Sequence, residues 1–159
     1  MPQKILSRKE IKNIRKIIKS QWDADIKLDY AFFISGKDRI YLINKDISNF
    51  ELSSLRINSV GLYFGEYTKG SLRLSIEGSQ IIGGYAKKNI TEIDYENARK
   101  WMNGQTIEIK SSIRLEGFII LKNSNDLLGC GKAVFLDNPE NFCYKILNYV
   151  PKNRRLKSH

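Results

Sequence analysis

The chain has 159 residues, and its content of 42% hydrophobic and 11% aromatic residues is typical of folded domains with modest cores. No apolar run is long enough to span a membrane, and the first ten residues lack the apolar stretch of a signal peptide, so we expect a soluble, cytoplasmic protein without a membrane partner. The two cysteines, Cys130 and Cys143, are too few for a disulfide framework or a four-thiolate zinc site. We expect both to be reduced core residues.

The net charge of +10 comes from the two ends of the chain. Residues 1–20 carry seven lysines and arginines against one glutamate, residues 151–159 carry four against no acid, and the segment between them is balanced. A basic surface at the termini is typical of a protein that binds a polyanion. A solvated helix face followed by a frayed tail would give the same composition, and that alternative stays open.

The first predicted element is an amphipathic helix. Ser7 and Glu10 are spaced as a capping box, and isoleucines recur at helical intervals over residues 11–18, so we expect about four turns. A β-hairpin is predicted over residues 30–43, because apolar and aromatic residues dominate both arms around a Gly-Lys-Asp turn. Two further strands are predicted, at residues 60–64 and 72–76.

A pause in the pattern near residues 83–88 predicts a domain junction. Beyond it, Asp94 is placed to cap a short helix that ends at Asn103 and Gly104. Short strands are then predicted at residues 106–109, 118–122, 127–136 and 146–150. Several short strands that close on themselves around one helix indicate a small β-barrel.

The predicted fold class is therefore α+β. An α/β domain is expected over residues 1–86, and a small β-barrel domain over residues 87–159. Trp22 and Trp101 lie beside the apolar faces of predicted helices, and we expect both to pack in the core.

The residue types that common enzymatic reactions require are missing or scattered. The only histidine is His159, which excludes Ser-His-Asp and Cys-His nucleophiles and histidine metal sites. Residues 65–70 contain two glycines and a lysine but do not follow the phosphate-loop pattern. No pair of carboxylates has a spacing that singles out an acid–base site. We expect no catalytic activity, no cofactor and no metal site.

The segment GFIILKNSNDLLGCGKA, residues 117–133, has the pattern of a β-hairpin whose returning strand contains Gly-x-Gly-Lys-Ala. Two glycines around one residue allow a bulge or the close approach of another segment. This order of apolar strand, polar turn and glycine-containing strand resembles the late hairpin of the PUA domain, the small RNA-binding β-barrel of pseudouridine synthases and archaeosine transglycosylases.

Other segments extend the resemblance. ENARKWMNG, residues 96–104, resembles the first PUA helix and the glycine after it, where the family brings its backbone close to RNA. LNYVPKNRRL, residues 147–156, resembles the basic C-terminus of archaeal stand-alone PUA proteins related to the Nol/Nop/Sun RNA cytosine methyltransferases.

The first half of the chain also resembles a known domain. Residues 39–43, 61–69 and 72–75 are similar to the N-terminal domain of the Nip-seven-like ribosome biogenesis factors. Those proteins pair an α/β pre-PUA domain with a PUA domain, bind RNA and assist assembly of the large ribosomal subunit. This chain departs from the pattern by an insertion over residues 136–143.

The resemblance implies a non-catalytic RNA-binding protein in ribosome biogenesis or rRNA maturation. Its partners would be rRNA or pre-rRNA, together with ribosome-assembly or RNA-processing proteins. Basic side chains would neutralise phosphates, and exposed aromatic rings would stack on unpaired bases. The expected RNA-binding residues are Lys152, Arg154, Arg155, Lys157, Lys132, Arg99, Lys100 and Gly104.

Some alternatives stay open. For Arg99 and Lys100, a merely solvated helix face explains the pattern equally well. The chain could be the detached RNA-recognition subunit of an RNA-modification enzyme of the m5C methyltransferase or pseudouridine synthase type. It could also be a protein-binding adaptor whose basic ends dock on acidic partners.

Overall fold

The computed structural model describes residues 3–46, 61–136 and 142–156. Within these ranges the chain forms three α-helices and two five-stranded sheets. Helices and strands are mixed along the chain and most neighbouring strands are antiparallel, so the fold class is α+β, as predicted. No helix in the described part of the chain is both long and apolar enough to cross a membrane.

The first sheet is an antiparallel meander whose strands follow one another in space as they do in sequence. Its strands are β1 (Lys4–Ile5), β2 (Ala31–Ile34), β3 (Arg39–Ile43), β4 (Leu62–Thr68) and β5 (Ser71–Leu74). The hairpin of β2 and β3 confirms the hairpin predicted over residues 30–43. Strand β4 continues to Thr68, well beyond the predicted strand at residues 60–64.

Helix α1 (Arg8–Trp22) confirms the predicted amphipathic helix. The Ser7 hydroxyl accepts a hydrogen bond from the Glu10 amide at 3.2 Å, and the Glu10 carboxylate accepts one from the Ser7 amide at 3.0 Å. This capping box satisfies two amides that the first turn leaves without helical partners. The opposite end of the helix places Trp22 in the core, fully buried as expected.

The predicted strand at residues 72–76 is wrong at its end, because a helix begins there. Strand β5 stops at Leu74, Ser75 becomes an N-cap, and α2 (Ile76–Ile82) follows. A side chain at Gly78 would collide with the Phe64 carbonyl oxygen, so this helix packs directly on the backbone of β4. Seven residues are too few for an apolar helical period to be recognised in the sequence.

The second sheet has the strand order β6-β8-β9-β10-β7 and curls into a half-barrel. It contains β6 (Ile90–Glu92), β7 (Ile107–Ser111), β8 (Gly117–Asn123), β9 (Asp126–Leu136) and β10 (Phe142–Leu147). Helix α3 (Tyr95–Met102) begins after the cap predicted at Asp94, whose carboxylate accepts a hydrogen bond from the Asn97 amide at 2.8 Å.

In this sheet, one predicted strand is misplaced and one strand was missed. The strand predicted at residues 146–150 lies earlier, because β10 ends at Leu147 and a turn around Asn148 follows. Strand β6 was not predicted, because its three residues pair in parallel with β8 and carry no local hairpin signal. Of the predicted insertion over residues 136–143, residues 137–141 lie outside the described residues.

The two sheets are joined by hydrogen bonds and by a shared apolar core. The indole N–H of Trp22 donates to the Phe118 carbonyl at 3.1 Å, and the Asn89 side chain donates to the Gln21 carbonyl at 2.6 Å. Ile120 and Cys130 of the second sheet belong to the buried cluster that lies under the first. The predicted boundary between residues 86 and 87 lies in the connection from α2 to β6 and stays a prediction.

Candidate nucleic-acid interface

The loop after α3 holds Gly104 in the conformation that the sequence predicts. Its φ of +88° is left-handed backbone, which favours glycine at the end of a helix. The C-terminal segment returns to this loop, where the Leu156 amide donates to the Met102 carbonyl at 2.9 Å. The side chain of Arg155 lies directly on Gly104, so a Cβ at this glycine would collide with the Arg155 Nε.

Both arginines of the C-terminal segment have partners inside the protein. Arg155 Nε donates to the Val150 carbonyl at 3.1 Å. Arg154 Nη1 lies 2.6 Å from the carboxylate of Glu77 on α2, in a pair that is partly exposed. Lys152 is exposed and makes no ion pair with the described residues, and Lys157 lies outside them. Of the predicted C-terminal contacts that can be placed, Lys152 is therefore the most available to a ligand.

The last turn of α3 adds two cations beside the Gly104 loop. Arg99 and Lys100 are both exposed, and Lys100 Nζ lies 3.6 Å from the Glu96 carboxylate one turn earlier. Arg99 has no ion-pair partner in the described ranges. Arg99 and Lys100 lie in the last turn of α3, directly before the loop that the C-terminal segment contacts. We call these residues the glycine-loop surface: Arg99, Lys100, Gly104, Lys152, Arg154 and Arg155.

Lys132 lies in a different place. It projects from β9 into a cleft of about 550 Å³ between the two sheets, which Lys69 and Lys88 also line. Lys69 belongs to the β4–β5 turn, where its φ is +47°, and Lys88 precedes β6. Sequence reasoning missed these two lysines, because a lysine in a turn or at a junction reads as an ordinary solvated residue.

A cation–π contact that the sequence did not predict joins the first sheet to the residues just before the C-terminal segment. The guanidinium carbon of Arg73 lies 4.2 Å from the centre of the Tyr149 ring, and Arg73 also pairs with Glu66 at 2.7 Å. This cation–π contact crosses from β5 to the turn that leads into the C-terminal residues. It helps to position that segment against the first sheet.

Trp101 is fully buried, as predicted, but its indole N–H has no hydrogen-bond partner among the described residues. The ring packs on Gly131, where a Cβ would collide with it, and close to Gly129. The two glycines of the predicted Gly-x-Gly pattern thus make room for the α3 tryptophan. A small cavity of about 70 Å³ lies beside the indole, next to the Arg154–Glu77 pair.

Cys130 is the titratable group with a raised pKa deep in the described core. Burial raises the pKa of the Cys130 thiol to about 12, so this cysteine stays protonated and is a poor nucleophile at neutral pH. No cluster of three or more histidine, cysteine, aspartate or glutamate side chains in the described ranges could hold a metal ion.

A comparison with protein families finds a match to part of the second sheet. Residues 88–138 match the family described as "Methyltransferase RsmF PUA domain", which covers about a third of the chain. The match supports a PUA RNA-binding domain in this part of the protein and RNA as its partner. It includes Arg99, Lys100, Gly104 and Lys132, whereas the C-terminal cations lie beyond it. No curated protein matches the chain significantly.

Proposed function

We propose that this protein binds RNA without catalysing a reaction, and that it acts in ribosome biogenesis or rRNA maturation in the cytoplasm. The observation that carries the proposal is the glycine-loop surface, where the basic C-terminal segment returns onto Gly104 of a PUA-matching region. The Arg155 side chain covers Gly104, so the loop presents a guanidinium group rather than bare backbone, and the surrounding cations add to its positive charge. The Nip-seven-like resemblance of the first half suggests rRNA or pre-rRNA as the RNA.

The contacts that each residue of this surface makes within the protein indicate how available it is to RNA. Arg99 and Lys152 make no ion pairs in the described ranges, so RNA phosphates are their only proposed charge partners. Arg154 must exchange the Glu77 carboxylate for a phosphate before it can bind RNA. Arg155 holds the loop through its position on Gly104 and keeps one hydrogen bond to Val150.

A second candidate is favoured by the identity of the matching family. The match is to the PUA domain of a methyltransferase, so the chain would be the RNA-recognition subunit of an RNA-modification enzyme. This alternative requires a separate catalytic protein that co-purifies with the chain and is stimulated by it. A pseudouridine synthase would satisfy the same requirement. The third function, a protein-binding adaptor, requires that no RNA is retained.

Crosslinking the protein to RNA in its own cells, followed by sequencing of the crosslinked fragments, tests these functions. We expect rRNA or pre-rRNA fragments, with crosslinked peptides from residues 95–104 and 142–156. Recovery of tRNA or another modified RNA, together with a methyltransferase or synthase, would favour the second candidate. Absence of crosslinked RNA would overturn the proposed function and leave the adaptor.

A further inference from the structure

The cleft between the two sheets concentrates positive charge from separate parts of the chain. Lys69 comes from the β4–β5 turn, Lys88 from the connection before β6, and Lys132 from β9. None of the three makes an ion pair with another described residue. Segments that are distant in sequence therefore bring three ammonium groups to this cleft, none of them in an ion pair with a described residue.

The other groups around the cleft suit a phosphate ligand. Ser20, Thr68 and Ser71 line it with hydroxyl groups that can donate hydrogen bonds. Glu116 is the acidic residue that lines the cleft. Asp23 lies near Lys88, but it pairs with Lys19 at 2.9 Å on α1. The cleft lining thus has an excess of positive charge that a polyanion would neutralise.

An aromatic pocket adjoins the cleft. Phe135, Phe142, Tyr144 and Arg114 line a cavity of about 460 Å³, and both cavities include Glu116 and Gly117 at the start of β8. Phe135 is 54% exposed, and its ring is held edge-on against Tyr144 with centroids 5.6 Å apart. A large exposed ring that is fixed in place can stack on a base at little cost in side-chain entropy.

Gly117 lies where the two cavities meet. A Cβ there would meet no other atom within 4 Å, so the surface between the cleft and the pocket is open. Lys132 and Phe135 are three residues apart on β9 and therefore lie on opposite faces of the second sheet, so the cleft and the pocket meet where they share Glu116 and Gly117. An RNA strand that passes around this edge would meet the combination by which proteins hold single-stranded nucleic acids: cations for the backbone and rings for the bases.

We propose that the cleft and the aromatic pocket together bind a single-stranded segment of RNA. Lys69, Lys88 and Lys132 contact successive phosphates, and Phe135 stacks on a base beyond Gly117. This inference rests on the proposed function as an RNA-binding protein, and it adds a second contact region to the glycine-loop surface. Because Lys69 belongs to the first sheet and Lys132 to the second, the intact two-sheet protein is needed to form it.

Salt dependence tests the cationic half. Anisotropy titrations of the full chain would use a labelled single-stranded RNA of about 12 nucleotides. The variant Lys69→Ala/Lys88→Ala should lower the slope of log affinity against log salt by about 1.4, since each lost phosphate contact on a single strand contributes about 0.7. The matched control is Lys27→Ala/Lys110→Ala, two exposed lysines outside the cleft. Equal changes in both variants would overturn the assignment of the cleft.

The aromatic half is tested by Phe135→Ala and Phe135→Trp. In Phe135→Ala, loss of one stacked base should weaken RNA binding roughly tenfold and leave the salt slope unchanged. Phe135→Trp keeps an aromatic ring and should bind RNA with the wild-type affinity. Thermal unfolding of each variant checks that the Tyr144 contact is not needed for folding. Wild-type affinity in a folded Phe135→Ala variant would overturn the stacking assignment.

The two levels of the proposal can fail separately. If the wild-type chain binds none of the RNA, both the proposed function and the cleft are rejected. If the wild type binds but only Arg99→Ala/Lys152→Ala lowers the salt slope, RNA binding stands and the cleft is rejected. A drop in slope for the cleft variant, with no drop for its control, supports the cleft.

Discussion

At the residue scale, Gly104 combines a constraint that the sequence reveals with one that it does not. An Asn-Gly pair after an apolar helix predicts a left-handed residue, and the structure has φ of +88° at Gly104. The second constraint is the Arg155 side chain lying on the glycine. No local pattern predicts this contact, because it depends on where the C-terminal segment returns.

Substitution of Gly104 separates the two constraints. We expect Gly104→Ala to lower the free energy of unfolding by about 1–2 kcal/mol from left-handed backbone alone, with a further loss because the new Cβ displaces Arg155. Gly70→Ala is a matched control, since φ there is +82° but a Cβ would meet no atom within 4 Å. Chemical denaturation should therefore show a larger loss for Gly104→Ala than for Gly70→Ala. Equal losses would contradict the close contact with Arg155.

Glu10 gives a pH-dependent prediction. A hydrogen bond from Lys4 and a further bond from the Ser7 amide hold the pKa of the Glu10 carboxyl down to about 2. Because the pKa in the folded state is lower than in the unfolded state, the ionised carboxylate stabilises the protein above the ordinary value of 4.5. That stabilisation is lost as the pH falls toward about 2.

The variant Glu10→Gln tests this, because glutamine can still cap Ser7 but cannot ionise. We expect its thermal midpoint to lie below that of the wild type at neutral pH and to converge with it near pH 2. Glu108→Gln, at an exposed glutamate on β7, controls for loss of a surface charge. A midpoint difference that persists at low pH would show that the Lys4 contact is not the source.

At the element scale, the glycines of the β8–β9 hairpin leave the space in which α3 packs. The Gly-x-Gly pattern in β9 was predicted to allow a bulge or a close approach, and the register shifts between Leu121 and Lys122, opposite this region. Gly131 accommodates the ring of Trp101 from α3, which a side chain would displace. The motif that indicated a PUA hairpin is thus a packing requirement for the helix that carries the glycine loop.

The third prediction concerns the ion pair between Glu77 on α2 and Arg154 in the C-terminal segment. Glu77 competes with RNA phosphates for Arg154, so Glu77→Gln should raise RNA affinity several-fold by releasing the guanidinium. The pair is partly exposed, so the variant should cost no more than about 1 kcal/mol of stability. The gain in affinity should disappear when Arg154→Ala is added. Glu108→Gln removes the same charge from β7, and an equal gain there would refute a specific effect.

At the scale of the whole molecule, the two basic ends differ in their structural surroundings. The cations of α1 lie on the first sheet side, whereas Arg155 of the C-terminal segment lies against Gly104 in the PUA-matching region. Composition treats these ends as equivalent, although only the second adjoins Gly104. We therefore expect direct phosphate contacts at the C-terminal end and only long-range attraction from α1.

Charge reversal at matched positions tests this difference. Lys12→Glu/Lys16→Glu should weaken RNA binding at low salt and have little effect near 0.15 M, where screening acts over about 8 Å. Arg99→Glu/Lys152→Glu should weaken binding at both salt concentrations, because direct contacts are lost. All four residues are exposed and make no ion pairs with described residues, so titration of one single-stranded and one structured RNA compares like with like. A larger loss at physiological salt for the α1 variant would make that helix the principal contact.

The sequence by itself determined the features that depend on neighbours a few residues away. The capping box of α1, the Asp94 cap, the left-handed Gly104 and both hairpins were predicted correctly, since each is decided by local hydrogen bonds and backbone conformation. Helix α2 and strand β6 were missed because they are short and depend on packing against β4 or pairing with β8.

Only the tertiary structure decided which cations share a surface. It paired Arg154 with Glu77, placed Arg155 on Gly104, and brought Lys69, Lys88 and Lys132 to one cleft. A sequence shows which residues are basic, but electrostatic attraction of a polyanion depends on distances in space. Those distances are fixed by the shared core of the two sheets, through contacts between residues far apart in the chain.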